Sequence, residues 1–446
     1  MSIQGAYFIG DGTLLIRCAE AFQQAGGQVA GIVTADPQIA AWAQEQGHSL
    51  LGVPGRPELE QGGADYLFSV ANLTVLAPET LAAARVMAIN FHDGPLPGRG
   101  GLNAPAWAIL EGADEHAVTW HEMVEAVDAG RVLKSRRFAI APHETAFSLN
   151  LRCYEAGEET FRELLDDLSA GRLTPTPLSG ERGWYPRAKR PANFGVLDFT
   201  RPAAELCRTV QALDFGTRRN PLALPKALLG DGLLAVRNLE RVVGGRGEPG
   251  QVLALDETSI TLMAGDGAVA LTNLTDMDGA NVDPTGLGVS VGAVLPPLVP
   301  VDAATLRSVG VSEAFWEGAL EHANALLPPY PRDHAAEAGR APLAVGQVSA
   351  GALGAAWAAW LASSTGQGRV TLAMAAEPAH SGLSGRFPVT VDLDPADTAQ
   401  SAFAAYAEAL RRAQSLAPMA ADLPLRLVVL EGAIAVLGSV VGGQLN

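Results

Sequence analysis

Short apolar runs alternate with helix-length segments through the first hundred residues, and this alternation limits the possible folds more than any other feature. The runs AYFIG, QVAGIVTA, DYLFSVAN and VMAINFH each have the length and composition of a buried strand. Between them lie segments with helical character, including one over residues 13–25 and one that begins near Pro78. Strands that alternate with helices pair in parallel, so we expect a doubly wound α/β fold with a mainly parallel sheet.

The character of the sequence changes twice further along the chain, which predicts three regions. The stretch ERGWYPRAKRPAN mixes Arg, Pro and aromatic residues without a regular period, as linkers do. Beyond it, a helix over residues 203–213 precedes short strand-like runs about ten residues apart, a pattern that predicts a small β-barrel-like domain. Helical segments return after PPLVPVDAATL. We therefore expect domains over residues 1–190, 191–300 and 310–446, because 446 residues exceed what one core supports.

Charge and cysteine content restrict the classes of partner. The chain has 31 Lys and Arg against 48 Asp and Glu, a formal net charge of −17. An acidic chain repels phosphate backbones, so we expect no nucleic-acid partner. The cysteines, Cys18, Cys153 and Cys207, are few and widely spaced, which favours neither a disulfide framework nor a metal site and indicates a cytoplasmic location. No segment has the pattern of a signal peptide or of a membrane span, so no membrane partner is expected.

The segment INFHDGPLPGRGGLNAPAWAIL carries the first candidates for chemistry. Asn90 and His92 are two residues apart at a predicted strand end, so their side chains should lie on the same side of that strand. Further along, VTWHEMVEAVDAGRVL carries Asp128. An imidazole and a carboxylate can move the proton in acyl transfer to an amine, while an amide stabilises the tetrahedral oxyanion. Spacing alone does not establish that the two segments meet.

Taken together, the motifs NFHDGPLPxxxGLNAPAWAI and VTWHEM…VDAG resemble those of the formyltransferases that use 10-formyltetrahydrofolate. That family includes methionyl-tRNA formyltransferase and, with the greatest resemblance to this chain, the formylation domains of nonribosomal peptide synthetases. The resemblance implies that Asn90 and His92 polarise the formyl oxygen. It also implies that Asp128 assists His92 in proton transfer.

The same resemblance implies 10-formyltetrahydrofolate as cosubstrate and places its pterin ring beside the stretch LTVLAP. The pterin is expected to bond to the main chain near Val75, Leu76 and Ala77. Leu73 and Val75 are expected to supply apolar walls, which suits a flat heterocycle. Two departures from the family pattern stand out, since the loop reads LPGRGG with its arginine one position late, and Ala117 replaces a usual glycine.

Residues from about 311 onward resemble scattered parts of a condensation domain of nonribosomal peptide synthesis. The stretch is short for such a domain and lacks its HHxxxDG motif. We therefore expect a truncated α+β segment that serves as a spacer or a docking platform. The resemblance implies downstream synthetase domains as partners.

These observations give one leading hypothesis and three alternatives. The leading hypothesis is an N-formyltransferase that moves the formyl group from the folate donor to an amine, either of an amino acid or of an aminoacyl group on a carrier protein. The alternatives are hydrolysis of 10-formyltetrahydrofolate, an inactive docking module of the same fold, and formylation of initiator tRNA, which the net charge disfavours.

Several other polar side chains are interpreted as structural. His121 is expected to be structural or to line the pocket. Three histidines and three linker cations are expected to face solvent: His48, His116, His143, Arg187, Lys189 and Arg190. The turn GDG at residues 10–12 is attributed to tight strand–helix packing, because GDGTLL does not match the dinucleotide motif GxGxxG.

Overall fold

The computed structural model describes residues 5–230, 232–277, 279–321, 350–375, 380, 382–384, 386–394, 398–416, 440–441 and 444–445. Much of the predicted third domain, including residues 322–349 and 417–439, lies outside this range. The chain divides into two compact units. The first unit combines residues 1–187 with 207–220, and the second combines residues 188–206 with 221–446.

The first unit alternates strands and helices along most of its length. Its elements are β1 (Gly5–Ile9), α1 (Thr13–Gln24), β2 (Gln28–Val33), α2 (Pro37–Glu45), β3 (Ala64–Ser69), α3 (Pro78–Leu81), β4 (Ala84–His92), α4 (Ala104–Leu110), β5 (Glu115–Glu122), β6 (Val132–Ala139) and α5 (Ala146–Ser169). Two-residue strands also pair, Gly52–Val53 with Arg56–Pro57 and Gly100–Gly101 with Trp184–Tyr185. Helix α6 (Ala203–Ala212) follows in the chain.

The described residues of the first unit form a six-stranded sheet in the order β2-β1-β3-β4-β5-β6. The first four strands are parallel, as the alternation of strands and helices predicted. Strands β5 and β6 were not predicted, and both pair antiparallel, so the sheet is mixed. The short connection between β5 and β6 leaves no room for the helix that a parallel crossover needs. The α/β expectation for this region is confirmed.

Strands β4 and β5 separate apolar from polar side chains onto opposite faces, because successive strand residues point to opposite sides. The apolar residues Ile89, Phe91, Val118 and Trp120 join the core that α1 and α5 cover. The Trp120 indole N–H donates to the Thr160 hydroxyl of α5 over 3.0 Å, which satisfies a buried donor. The intervening residues of both strands, which are mainly polar, therefore face away from this core.

The second unit contains a five-stranded antiparallel sheet in its described residues. Its strands are β7 (Lys226–Leu229), β8 (Gly232–Val242), β9 (Val252–Leu255), β10 (Ser259–Met263) and β11 (Ala268–Thr275), in the order β7-β8-β11-β10-β9. Helices and a hairpin follow: α7 (Ala303–Glu321), α8 (Ala350–Thr365), β12 (Arg369–Ala375), β13 (Arg386–Asp392) and α9 (Ala399–Gln414). Short strands at Val440–Val441 and Gln444–Leu445 also pair. None of the described helices combines the length and apolar character needed to cross a membrane.

The expectation of a fully solvated linker is wrong for Arg190. Its side chain is buried and forms an ion pair with Glu313 of α7. Arg187 is exposed and Lys189 is half-buried. A buried guanidinium requires a carboxylate partner. Because Glu313 lies more than a hundred residues away in the sequence, the local sequence pattern did not predict that Arg190 is buried.

Candidate functional site

The structure brings Asn90, His92 and Asp128 together at the end of β4. Asn90 and His92 lie on the face of β4 opposite the α1–α5 core, as their spacing predicted. Asp128 reaches the same place from the turn between β5 and β6, where its backbone adopts a left-handed φ of 51°. His92 Nδ1 lies 3.9 Å from Asp128 Oδ2. Two segments distant in sequence therefore form one cluster.

Asp128 is a buried carboxylate that its neighbours keep ionised. The backbone N–H of Gly101 donates to its Oδ2 over 2.8 Å. Burial by itself would raise the pKa of Asp128, but the hydrogen bond with His121, the electrostatic interaction with His92 and the Gly101 N–H together lower it to about 2. The group therefore carries its negative charge at neutral pH.

The His92 ring is oriented by the loop that follows β4. Its Nε2 lies 2.6 Å from the carbonyl oxygen of Arg99. Because a carbonyl oxygen only accepts, Nε2 donates, and Nδ1 is the nitrogen that faces the carboxylate of Asp128. The peptide bond between Leu96 and Pro97 in this loop is cis.

His121, predicted to be structural or to line the pocket, also belongs to the cluster. It lies directly opposite Asn90 in the antiparallel pairing of β4 with β5. Its Nε2 is 3.1 Å from the Asn90 amide nitrogen and 3.5 Å from Asp128 Oδ1. A sequence signal existed, since alternation along VTWHEM places Thr119 and His121 on one face. The strand pairing that aims this face at Asn90 is non-local.

The expectation that His116 faces solvent is wrong. Its side chain is 1% exposed, and its Nε2 lies 2.7 Å from the carbonyl oxygen of Asp93. Nδ1 has no hydrogen-bond partner in the described part of the chain. Burial is the main cause that lowers the pKa of His116 to about 4, and electrostatic interactions with Arg99 and His92 add to it. His143 is exposed and His48 is half-buried.

The predicted folate edge follows β3 and is held by a side-chain turn. Asn72 Oδ1 accepts from the Thr74 N–H, and its Nδ2 donates to the Thr74 carbonyl, each over 2.9 Å. Ala71 before it adopts a left-handed φ of 51°. The next peptide groups stay open, because the N–H and C=O groups of Val75 and Leu76 have no hydrogen-bond partner among the described residues.

Side chains along the folate edge alternate between solvent and core. Leu73 is 64% exposed and Val75 is 73% exposed. Leu76 is 8% exposed and packs into the core between the sheet and α3, and Ala77 is exposed. The edge therefore presents two apolar side chains to solvent beside two peptide groups that lack a hydrogen-bond partner among the described residues, while the Leu76 side chain anchors it.

A cavity of about 400 Å³ lies against the loop over residues 95–99. The displaced arginine of this loop, Arg99, forms an ion pair with Glu111 there. The Tyr185 hydroxyl donates to Glu111 Oε1 over 2.7 Å. Burial and the bond to Glu111 raise the pKa of Tyr185 to about 12, so the hydroxyl remains a donor. Arg137 and Glu181 also line the cavity.

The chemistry available at this site is that of proton transfer and oxyanion stabilisation. Among the described residues, no group of three or more His, Cys, Asp and Glu side chains has the arrangement of a metal site. The cluster supplies a carboxylate, two imidazoles and a primary amide within hydrogen-bonding range or slightly beyond it. Such a set can polarise a carbonyl oxygen and carry a proton between two nitrogens.

Two solved structures illustrate the likeness of the chain to known proteins. HypX from Aquifex aeolicus, in complex with tetrahydrofolic acid, is 20% identical with a TM-score of 0.46, over 68% of this chain and 50% of that one. The chain thus spans about half the length of that protein. The N-formyltransferase from Helicobacter canadensis, in complex with folinic acid and dTDP-3-aminofucose, is 14% identical with a TM-score of 0.48. That match covers 62% of this chain and 100% of that one.

Sequence relatives define the family. A family model described as Formyl transferase matches residues 56–165. The chain is 34% identical over 221 residues to the methionyl-tRNA formyltransferase of Myxococcus xanthus (strain DK1622), covering 50% of this chain and 68% of that protein. It is 33% identical over 231 residues to that of Acidithiobacillus ferrooxidans (strain ATCC 53993 / BNL-5-31), covering 51% and 69%. With more than two thirds of these proteins matched at this identity, the chain belongs to the formyltransferase family.

Proposed function

We propose that this protein transfers a formyl group from 10-formyltetrahydrofolate to an amine, with Asn90, His92 and Asp128 as its catalytic residues. The observation that carries the proposal is the convergence of these three side chains on one face of β4. Membership of the formyltransferase family supports the reaction class. The open peptide groups after β3 support the donor.

Asn90 is assigned the role of stabilising the oxygen of the formyl group. Attack by an amine turns the planar formyl carbon tetrahedral and places negative charge on its oxygen. An amide N–H held at that position stabilises the charge, and losing such a donor costs about 3 kcal/mol in the barrier. Asn90 is half-buried and held from the side by His121, so it is fixed before the substrate arrives.

His92 and Asp128 are assigned the role of transferring the proton. The attacking amine loses one proton, and the leaving nitrogen of the folate gains one. The 3.9 Å between His92 Nδ1 and Asp128 Oδ2 exceeds a hydrogen bond, so the Nδ1 lone pair is not engaged by the carboxylate and can take the proton of the amine. Asp128, with its pKa lowered to about 2, remains an anion that stabilises the imidazolium when His92 takes the proton.

The folate donor is assigned to the edge formed by Leu73, Val75, Leu76 and Ala77. A pterin ring offers several donors and acceptors in one plane, which suits the open backbone groups of Val75 and Leu76. The exposed side chains of Leu73 and Val75 can cover the faces of a flat ring. Binding would then satisfy the open peptide groups and cover exposed apolar surface together.

The acceptor is assigned to nonribosomal peptide synthesis, as an amino acid or an aminoacyl group on a carrier protein. This part of the proposal rests on the resemblance of the residues after 311 to a condensation domain, and it brings downstream synthetase domains as partners. The division into domains 1–190, 191–300 and 310–446 remains part of the proposal. A cytoplasmic location is supported by Cys18, Cys153 and Cys207, none of which forms a disulfide.

Formylation of initiator tRNA is the second candidate, because the relatives from Myxococcus xanthus and Acidithiobacillus ferrooxidans are methionyl-tRNA formyltransferases. Charge argues against it. Residues 191–300 contain 8 Lys and Arg against 12 Asp and Glu, whereas binding to a phosphate backbone needs a basic surface. Donor hydrolysis would use the same three side chains, so only the product separates it from transfer.

The test incubates the purified protein with the folate donor in four reactions that differ in the acceptor. The acceptors are an aminoacyl carrier protein, free amino acids and initiator methionyl-tRNA, and the fourth reaction contains none. Mass spectrometry of each acceptor should show one added formyl unit on the carrier-bound or free amino acid. Formylated tRNA would move the assignment to the second candidate, and formate without acceptor would indicate a hydrolase. No consumption of donor in any reaction would make the chain an inactive module.

A further inference from the structure

The ring of His121 has its hydrogen-bonding pattern fixed at one end by the backbone. Its Nδ1 lies 2.8 Å from the carbonyl oxygen of Glu122. Since that oxygen only accepts, Nδ1 carries a hydrogen and donates it. In the neutral ring, Nε2 is then an acceptor, and it lies 3.1 Å from the amide nitrogen of Asn90. The ring is 2% exposed, so water does not compete for this position.

The contact with His121 determines which end of the Asn90 amide is available for chemistry. An amide nitrogen carries two hydrogens, and one of them donates to His121 Nε2. The second hydrogen remains free for another acceptor. If the amide were turned by half a rotation, its oxygen would meet the lone pair of Nε2, which is repulsive. His121 therefore selects the orientation in which the amide nitrogen, and not its oxygen, lies at this end of the side chain.

The backbone makes this arrangement rigid. Asn90 and His121 are directly paired residues of adjacent antiparallel strands, so their side chains share one face of the sheet. The register of β5 with β6 shifts between Trp120 and His121, an irregularity of the kind that re-aims a side chain. The shift falls at the residue that contacts Asn90.

Resting on the proposed function, we propose that His121 is a positioning residue for formyl transfer. It holds the amide nitrogen of Asn90 so that the second N–H points at the developing oxyanion. His121 need not touch the substrate, and it acts through Asn90. Its Nε2 also lies 3.5 Å from Asp128 Oδ1, farther than the 3.1 Å to Asn90, and the test below separates an effect through Asn90 from one through Asp128.

The test is a double-mutant cycle on kcat, with His121→Phe and Asn90→Ala alone and combined. His121→Phe keeps a ring of similar shape and removes the acceptor, so kcat should fall by at least about tenfold, with KM for the donor little changed. In the Asn90→Ala background the same substitution should cause no further loss. His121→Gln, whose amide oxygen can accept from Asn90, should recover most of the activity.

The matched control is His116→Phe, which removes an equally buried imidazole from the same strand without touching Asn90. It should leave kcat nearly unchanged, and Tm of each variant checks folding. Equal losses from His121→Phe with and without Asn90 would overturn the inference, as would a loss that disappears only in an Asp128→Asn background. Wild-type protein without transferase activity would instead overturn the proposed function.

Discussion

The two halves of the candidate site are built in opposite ways. In the polar cluster, His92, His121 and Asp128 are between 2% and 8% exposed, and each has at least one hydrogen bond to other protein atoms. Along the predicted folate edge, Leu73 and Val75 are mostly exposed, and the peptide groups of Val75 and Leu76 have no hydrogen-bond partner in the described residues. One half is closed before any ligand binds, and the other is open.

This contrast assigns different kinetic roles to the two halves. Groups fixed in a buried position need no reorganisation as charge develops, so they lower the barrier of the chemical step. Open peptide groups and exposed apolar side chains exchange water for a ligand, which is a contribution to binding. Substitutions in the cluster should therefore change kcat, and substitutions along the edge should change KM for the donor.

The largest expected effect is that of Asn90→Ala, which removes the amide from the closed half. We expect kcat to fall about a hundredfold because the oxyanion loses its donor. KM for the donor should stay nearly constant. Steady-state kinetics at saturating acceptor measures both values, and an unchanged kcat would remove Asn90 from the mechanism.

A substitution at His116 distinguishes an effect of burial on stability from an effect on catalysis. The His116 side chain is as buried as that of His121 but lies outside both halves of the site. Its folded-state pKa of about 4 is below the unfolded value of 6.5, so the unfolded chain binds the proton first. Stability should therefore be complete above pH 6.5 and decrease as the pH falls toward 4, by about 3 kcal/mol in total.

Urea unfolding between pH 4 and 7 measures this dependence. In His116→Phe the corresponding loss should be absent, while other titrating groups keep their contribution. A wild-type protein whose free energy of unfolding shows the same slope as the variant in this window would contradict the burial of a neutral imidazole.

Leu76→Ala tests the anchored part of the open half. The Leu76 side chain is 8% exposed within an apolar core, so truncation should lower the free energy of unfolding by about 2–3 kcal/mol. Thermal or urea unfolding of the variant provides the value. A loss well below about 1 kcal/mol would show that the edge is not anchored through this side chain.

Val75→Ser tests the neighbouring, solvent-facing part and should have the smallest effect. Because Val75 is 73% exposed, the free energy of unfolding should change by no more than about 0.5 kcal/mol. If the donor covers this side chain, KM for the donor should rise about fivefold through lost apolar contact. An unchanged KM would place the folate elsewhere.

Local sequence pattern was sufficient for the parallel part of the sheet and for the pairing of Asn90 with His92. Both depend on periodicities within one segment, which determine strands and side-chain faces directly. The arrival of Asp128 in the same cluster was expected only through the family resemblance, because no local rule brings residue 128 to residue 92. The structure supplies that contact through the antiparallel pairing of β4, β5 and β6.

The burial of His116 and Arg190 and the contact of His121 with Asn90 were not predicted, for a common physical reason. Each side chain owes its environment to a partner on another segment, namely Asn90, the Asp93 carbonyl and Glu313. Polar side chains in short segments usually face solvent, but this tendency does not hold where a buried hydrogen-bonding or ionic partner is available. Knowledge of the strand register was needed to identify all the members of the site.

The most direct test of the division between a closed chemical half and an open binding half is a single-turnover experiment with donor labelled in its formyl carbon. With saturating acceptor, the wild-type protein should move the label into a new amide. Asn90→Ala should bind the labelled donor with unchanged affinity and transfer the label far more slowly. Loss of donor affinity in Asn90→Ala, or label recovered only as formate from the wild-type protein, would contradict the account.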